Sequence, residues 1–540
     1  MECAGDPMTT SLAPSDLQTG RHAGVCLHIT SLPGPYGIGE IGQEAREFID
    51  MLASTGIDVW QFLPTGPTAY GDSPYQPLSS FAGNELLISI GDLVAEGLLA
   101  EFEVEELKTL PERAVDYGTL IPIKRRLLDV AAQRFPFQAS KDVQAQYAAF
   151  VEEHDSAWLH DYALFRILKS SHGERPWPEW LPKYAHRDER ALKRIEATEA
   201  HALRSIKVIQ FLFHRQWLVL REYAAASGVA LFGDMPIYIA LDSADAWANR
   251  DILLLDEDGN AEYVAGVPPD YFTEDGQLWG NPLYDWEKHA ASNYRWWIDR
   301  LSMAMERMDL VRIDHFRGFE AYWAVPAASE TARTGTWEPG PGDAIFEALR
   351  DALGVLPIVA ENLGVITPEV EALRERHGIP GMHVLQFDVC DDDFDLACVA
   401  RDSVCYTGTH DNDTTIGWFH GSPGDMRSDE EIEQTQKAVL AMTGGTAETV
   451  HTDLARAAFA TDARIAIATM QDYLGLGSEA RLNTPGKPGG NWRWRMAGDQ
   501  FAAEIRQQIT DLVRASGRSP ESDTQPAEPV TPPAAASSST

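Results

Sequence analysis

Three short stretches carry carboxylates where a buried chain should carry none. Leu310–Phe319 reads LVRIDHFRGF, Pro357–Leu363 reads PIVAENL, and the run from Ser403 ends in GTHDND at Gly408–Asp413. Each begins as an apolar run of the kind that forms a buried strand and then turns polar. Strands of a parallel sheet covered on both faces are almost continuously hydrophobic. Charge at their C-terminal ends must therefore face something other than core, and in barrels and open α/β sheets ligands sit at that end. Arg312 and Asp314 are two residues apart, so on a strand they point to the same side. The guanidinium is expected to hold the Asp314 carboxyl ionised and fixed, with its pKa pushed down. Taken alone, such a pair is either a structural ion pair or an anchored nucleophile. Glu361 and Asp411 follow at steps of about fifty residues, the second including one more short strand, Met382–Phe387, so all three carboxylates can return to the same rim. Three acids converging with Arg312 and His410 read as an active site, because mutual repulsion serves no structural end.

Two chemistries suit three carboxylates without a Cys/His cluster. They could bind Mg²⁺ or Ca²⁺. They could also cleave a glycosidic bond, with one carboxylate as nucleophile and one carboxylic acid protonating the leaving oxygen. The surroundings favour sugar: Tyr75, Tyr271, Trp279, Tyr284, Trp418, Trp492 and Trp494 lie in loops among Gly, Asn and Gln. Aromatic faces suit sugar C–H groups, and amides suit hydroxyls. No glycine-rich phosphate loop is present, and GIGEIG follows Pro-Tyr where a dinucleotide fingerprint needs a strand.

The elements that must position these groups are eight short β-rich runs. They are Gly24–Ile29, Val59–Leu63, Ala230–Ile237, Leu310–Phe316, Pro357–Leu363, Met382–Phe387, Ser403–Thr407 and Ala463–Met470. Amphipathic helical patterns such as Ile41–Ser54, Asn293–Met308 and Pro368–His377 separate them. Alternation of this kind indicates βαβ units, and eight of them indicate a closed (β/α)8 TIM barrel over an open sheet. The expected organisation is a frayed N-terminus over 1–20 and a catalytic barrel over 21–515. A mostly helical subdomain is inserted at about 70–228, and a loop at 242–286, rich in Gly, Pro, Asp and aromatics, forms a lid. The Ser/Pro/Ala/Thr-rich stretch 516–540 reads as a disordered tail.

Composition bounds the partners. The chain has 540 residues and a net charge of −38, from 82 acidic against 44 basic residues. Nucleic acid is excluded as a partner, since phosphate binding needs a basic face. Only ten of the basic residues are Lys. That balance suggests solubility in high salt, where screening relieves self-repulsion. Five cysteines have neither metal-ligand nor disulfide-framework spacing. The N-terminus lacks the basic and apolar regions of a signal peptide, and no run is long enough to span a membrane. These features predict a cytoplasmic protein with no cofactor and no metal, a monomer or weak homodimer.

A series of longer segments then narrows the reading: HITSLPGPYGIGEIG, DSPYQPLSSFAGN, VDYGTLIPIKR, GDMPIYI, GVPPDYFTEDGQLWGNPLY, RIDHFRGF, AENLGVITPEV, GTHDNDTTIGW and QDYLGLGSEARLNTPGKPGGNWRWR. In these, from about Gly24 to Arg495, the chain resembles the 4-alpha-glucanotransferases of the amylomaltase (disproportionating enzyme) family, in the α-amylase clan. The C-terminal β-sandwich domain of amylases is expected to be absent, since little chain follows Arg495.

The resemblance implies a retaining transferase that moves α-1,4-glucan segments between maltooligosaccharides, with glucose as an acceptor. It implies Asp314 as nucleophile, Glu361 as acid and base, and Asp411 as stabiliser of the transition state through the sugar's 2- and 3-hydroxyls. Arg312 would orient Asp314, His410 would bind the sugar before the cut, and Tyr75 would stack under it. Ser73, Asn483 and the loop residues Asp270, Gln277, Trp279 and Asn281 join them as substrate contacts, and Asp391 aligns with a sugar-contacting acid. Two segments depart from the family pattern: Cys26 and Ile29 stand where Leu and often Pro are usual, and QFDVCD replaces a more aromatic run. A retaining mechanism would set the carboxyls of Asp314 and Glu361 about 5–5.5 Å apart. A hydrolase with the same three acids, a non-catalytic glucan-binding protein and a metal-dependent phosphoryl-transfer barrel are the alternatives.

Overall fold

Each of the eight expected runs forms a strand. They are β1 (His22–Cys26), β2 (Val59–Gln61), β3 (Ala230–Pro236), β4 (Leu310–Asp314), β5 (Ile358–Ala360), β6 (Gly381–Val384), β7 (Ser403–Tyr406) and β8 (Ile465–Thr469). The computed structural model describes Leu17 and residues 20–69, 71–269, 274–391, 394–422, 425–487 and 489–518. The strands pair in parallel in the order β6-β7-β8-β1-β2-β3-β4-β5. The seam between β5 and β6 closes through the Ala360 amide, which donates to the Pro380 carbonyl at 2.8 Å, and the Met382 amide, which donates to Asn362 Oδ1 at 2.8 Å. The architecture is a (β/α)8 barrel.

Alternate strand residues fill the barrel: Val59, Phe232, Leu310, Val359, Met382, Val404, Tyr406 and Ile467 pack with Cys26 into one interior cluster, with Leu17 buried against them. Gly24 belongs to this crowded lumen, since a Cβ there would meet Ile467 Cγ1 at 2.7 Å. The opposite strand faces pack on helices. Gln43–Thr55 shows why: Ala45, Phe48, Ile49 and Leu52 recur at helical spacing, all are buried, and Gly56 ends the helix in the left-handed conformation at φ 82°. Phe48 meets Trp60 of β2 edge-on, with ring centroids 5.1 Å apart.

The insertion between β2 and β3 is helical from Ile90 onward, with long helices at Tyr117–Gln138, Lys141–His154, His160–Ser171 and Ala200–Ala226. A π-helical turn, Asp155–Leu159, follows His154 directly. The insertion is tied to the barrel by a buried ion pair. Lys124 of Tyr117–Gln138 meets Glu40 Oε1 in the loop after β1, and Glu40 Oε2 accepts from the Ile90 amide at 2.9 Å.

Three expectations change. The region 242–286 is not a loop alone. Tyr263–Val267 and Gln277–Pro282 form an antiparallel hairpin, and Ala321–Pro326 and Thr336–Pro339 extend it to a four-stranded sheet. The sixth run is a strand only to Val384, and Leu385–Asp388 is helical. At the C-terminal end, a helix runs from Ala503 to Ser516, and Arg518 is buried, with its guanidinium donating to the carbonyls of His22, Phe459, Thr461 and Ala463. Arg21, just before β1, donates to Ser516 O at 2.9 Å and to Thr461 O at 2.6 Å. The remainder of the expected tail, and residues 1–16, 18 and 19 of the expected frayed N-terminus, lie outside the described residues. No described helix is long and apolar enough to cross a membrane.

Candidate active site

Strand register gathers the acids. Asp234 of β3 lies beside Arg312 of β4, and Pro236 beside Asp314; Ile313 lies beside Ala360 of β5. Residues in register across parallel strands point to the same face. Asp234 and Arg312 therefore share one layer at the C-terminal end of the barrel, and Asp314 and Glu361, one step past Ala360, share the next. Arg312 forks between two carboxylates: Nη1 is 2.7 Å from Asp234 Oδ2, and Nη2 is 2.8 Å from Asp314 Oδ1. A planar guanidinium with fixed donors suits this double contact better than an ammonium would. Asp234 Oδ2 also accepts from the Tyr75 hydroxyl at 2.7 Å. The Asp234 side chain is wholly buried while that of Asp314 stays 31% exposed. Asp234 is thus an anchor, and Asp314 is open to the cleft.

Glu361 is held differently. Its Oε2 accepts the His315 amide at 2.7 Å and its Oε1 the Leu363 amide at 2.7 Å. The first bond exists because His315 leaves the strand in the left-handed conformation, at φ 58° and ψ 49°. For a non-glycine residue that conformation costs on the order of 1–2 kcal/mol. The surrounding structure sustains it, with His315 buried and Trp279 meeting it edge-on at 4.7 Å between ring centroids.

The electrostatics correct one expectation. Desolvation on the cleft floor raises the Asp314 carboxyl to about 7, although Arg312 acts to lower it. The sequence alone points the other way, because it does not show that Arg312 is shared with Asp234, nor that Asp234, Glu361 and Asp411 add repulsion. Glu361 is also raised by desolvation, against the pull of Arg312 and of its two backbone donors. Two raised carboxyls that feel one another titrate as a pair. The guanidinium touches only Asp314 of the two, which favours the charge on Asp314 and the shared proton on Glu361.

The third acid, Asp411, lies on the loop after β7. Asp411 Oδ1 accepts from Asn483 Nδ2 at 2.6 Å and lies 3.4 Å from His410 Nε2, while Arg481 donates to the Asp411 carbonyl at 2.7 Å. Its side chain is 43% exposed. His410 is buried and stacks on Tyr75, with centroids 5.1 Å apart and planes 12° from parallel, and Trp492 closes on both rings. Desolvation lowers the His410 pKa, so the ring is neutral, and His28, also buried, is lowered to about 3.

The structure therefore unites Tyr75, Arg312, Asp314, Glu361, His410, Asp411 and Asn483. Ser73 supports this set by accepting the Tyr75 amide at 3.2 Å. Trp279 and Gln277 lie on the hairpin and bond to each other at 3.1 Å. Asn281 is committed within the protein: it donates to Ile239 O at 2.8 Å and accepts from Gln76 at 3.1 Å. Asp391 is exposed on the turn after Leu385–Asp388. Asp270 and Tyr271 lie outside the described residues. Two of the aromatics are core: Tyr284 is buried with its hydroxyl on Ile237 O, and Trp418 is buried under Arg427. Sequence reading missed Asp234, although an acid inside GDMPIYI is the same anomaly that singles out RID. It also missed His28, His315 and Arg481, whose parts depend on backbone conformation and distant loops. Among the described residues, the one set of three His, Cys or acidic groups with ligand atoms close enough to share a metal ion is His154, His214 and Glu306, outside this network.

Comparison with known proteins agrees with this geometry. The 4-alpha-glucanotransferase family profile matches residues 27–500. A 4-alpha-glucanotransferase of Thermus thermophilus is 44% identical over 508 residues, covering 93% of this chain and 100% of its own. A chloroplastic/amyloplastic 4-alpha-glucanotransferase of Arabidopsis thaliana is 41% identical over 93% of this chain and 87% of its own. Among solved structures, the amylomaltase of Streptococcus agalactiae in complex with acarbose superposes with a TM-score of 0.87 at 34% identity, covering 93% of this chain and 100% of that one.

Proposed function

The chain belongs to the 4-alpha-glucanotransferase family, and on that premise we propose how its own residues divide the reaction. Asp314 attacks the anomeric carbon of an α-1,4-glucan. The bond to the leaving 4-oxygen breaks as Glu361 gives that oxygen its proton, and a glucosyl ester of Asp314 remains. The 4-hydroxyl of an acceptor, glucose or a maltooligosaccharide, then attacks the ester, returns its proton to Glu361 and frees the Asp314 carboxylate. Asp411, fixed by Asn483, faces the cleft and receives the 2- and 3-hydroxyls of the reacting sugar. The stacked pair of Tyr75 and His410 forms one wall for that sugar. Trp279 and Gln277 cover the cleft from the hairpin, and exclusion of water there favours transfer over hydrolysis.

The observation that carries this reading is the unlike setting of the two facing carboxyls. Asp314 has the guanidinium of Arg312 at 2.8 Å, while Glu361 has only neutral backbone donors. A nucleophile needs a cation in contact; Glu361 has none in contact, and burial raises its pKa against its two backbone donors, as a general acid requires. The complex of the Streptococcus agalactiae amylomaltase with acarbose supports a ligand cleft on this fold.

The test is maltotriose alone, with products resolved by chain length and reducing ends counted. Glucose appearing with longer oligosaccharides at constant reducing ends is the expected result, and Asp314→Asn abolishes it. Reducing ends rising in step with product would make water the acceptor and the chain a hydrolase. An Asp314→Asn protein as active as wild type would overturn the assignment of the nucleophile.

A further inference from the structure

Away from the cleft, three helices far apart in sequence bring together two imidazoles and a carboxylate. His154 ends Lys141–His154, His214 lies within Ala200–Ala226, and Glu306 lies near the end of Arg295–Arg307. One ligand atom from each lies within 4.8 Å of the other two, and His214 Nδ1 is 3.7 Å from Glu306 Oε1. That separation is too long for a hydrogen bond. It is close to the roughly 3.3 Å that separates two ligands each about 2.0–2.1 Å from a tetrahedral zinc. Among the described residues neither imidazole has a hydrogen-bond partner in the protein, and Phe150 packs against both rings. A π-helical turn begins one residue after His154, a local distortion often found at functional sites.

We propose that His154, His214 and Glu306 form a site for a divalent metal ion of the Zn²⁺ class, which clamps the helical insertion to the barrel. Imidazole ligands select Zn²⁺, Co²⁺ and Ni²⁺ over Mg²⁺ and Ca²⁺. A set of two His and one Glu leaves a fourth position for water. The nearby cation Arg307 is engaged by the Phe81 carbonyl at 2.6 Å and the Phe213 ring. Glu306 and His214 keep 36% and 14% side-chain exposure, which gives an ion a way in. The clamp joins an inserted helix, the long helix that leads into β3, and the helix that leads into β4. Its expected effect is therefore on stability, with the catalytic acids untouched.

The test uses the full-length protein, stripped with chelator and dialysed. Titration with Co²⁺ should give one equivalent of tight binding with the visible bands of a tetrahedral N/O site, and Zn²⁺ should displace it and raise the Tm. Equal concentrations of Mg²⁺ control for the acidic surface. His214→Gln and Glu306→Gln should each weaken binding at least about 10-fold, the loss that even an outer-shell partner brings. They should lose the Zn²⁺-dependent rise in Tm while keeping maltotriose turnover. Wild-type protein with no saturable Co²⁺ site, or variants that bind as tightly as wild type, would overturn the proposal. If a variant fails to fold, the wild-type titration and melt alone decide.

Discussion

With Asp234 replaced by Asn, Arg312 keeps one charged partner in place of two, and Tyr75 loses its carboxylate acceptor. Arg312 holds Asp314 at 2.8 Å, so a small displacement of the guanidinium misaims Asp314. We expect Asp234→Asn to lower kcat about 100-fold, the size of effect that a shift of about 1 Å produces at a reacting centre. The pH profile gives a second readout. Desolvation raises both Asp314 and Glu361, Arg312 opposes it, and Asp234 adds to the rise in each. The proposed reaction needs one proton on the pair, so its alkaline limb marks loss of that proton. Removing the Asp234 charge lets the proton leave at lower pH, and the alkaline limb of kcat/KM should move down. An unmoved limb would show that Asp234 acts only by packing. At this scale the sequence was legible where charge interrupts an apolar run, as in Arg312, Asp314 and Glu361. The partners were not, because strand register decides that Arg312 faces Asp234 as well as Asp314.

Elements show the same division. Eight barrel strands could be read because each is a buried apolar run bounded by polar residues. The antiparallel sheet could not. Gln277–Pro282 holds Gly, Asn and Pro, and Thr336–Pro339 is exposed along its whole length. Such strands exist through pairing with distant chain, not through local preference. The helical insertion was legible in its periodicity, but its attachment was not, because Glu40 and Lys124 stand 84 residues apart. This buried pair yields an element-scale prediction. Lys124→Met leaves Glu40 buried with only the Ile90 amide, and removing one partner of such a pair destabilises by about 3–5 kcal/mol. The double variant Glu40→Gln, Lys124→Met should recover most of that loss in denaturant unfolding. If the single and double variants are equally unstable, the ion pair is not what holds the insertion to the barrel.

For the molecule as a whole, charge is the dominant fact. At −38 with only ten Lys, repulsion among surface carboxylates opposes the compact state. Raising ionic strength to about 1 M shortens the screening length to about 3 Å. The Tm should therefore rise by several degrees between low and molar NaCl, and a Tm independent of salt would remove salt adaptation as the reason for the composition. Charge of this kind was visible from composition alone, since it needs no fold to be counted.

Arg21 and Arg518 have a practical consequence. They bind the two ends of the described chain to each other and to the carbonyls around His22 and Thr461, at the entry end of β1 and β8. Asp314, Glu361 and Asp411 leave from the opposite end of the strands. A tether attached beside Arg21 or Arg518 therefore stands at the end of the barrel away from the acids, so long polymer chains should reach an immobilised enzyme as freely as short ones. A short linker joining the chain at Arg21 to the chain at Arg518 would also open the way to circular permutants, with new termini cut into the outer helices.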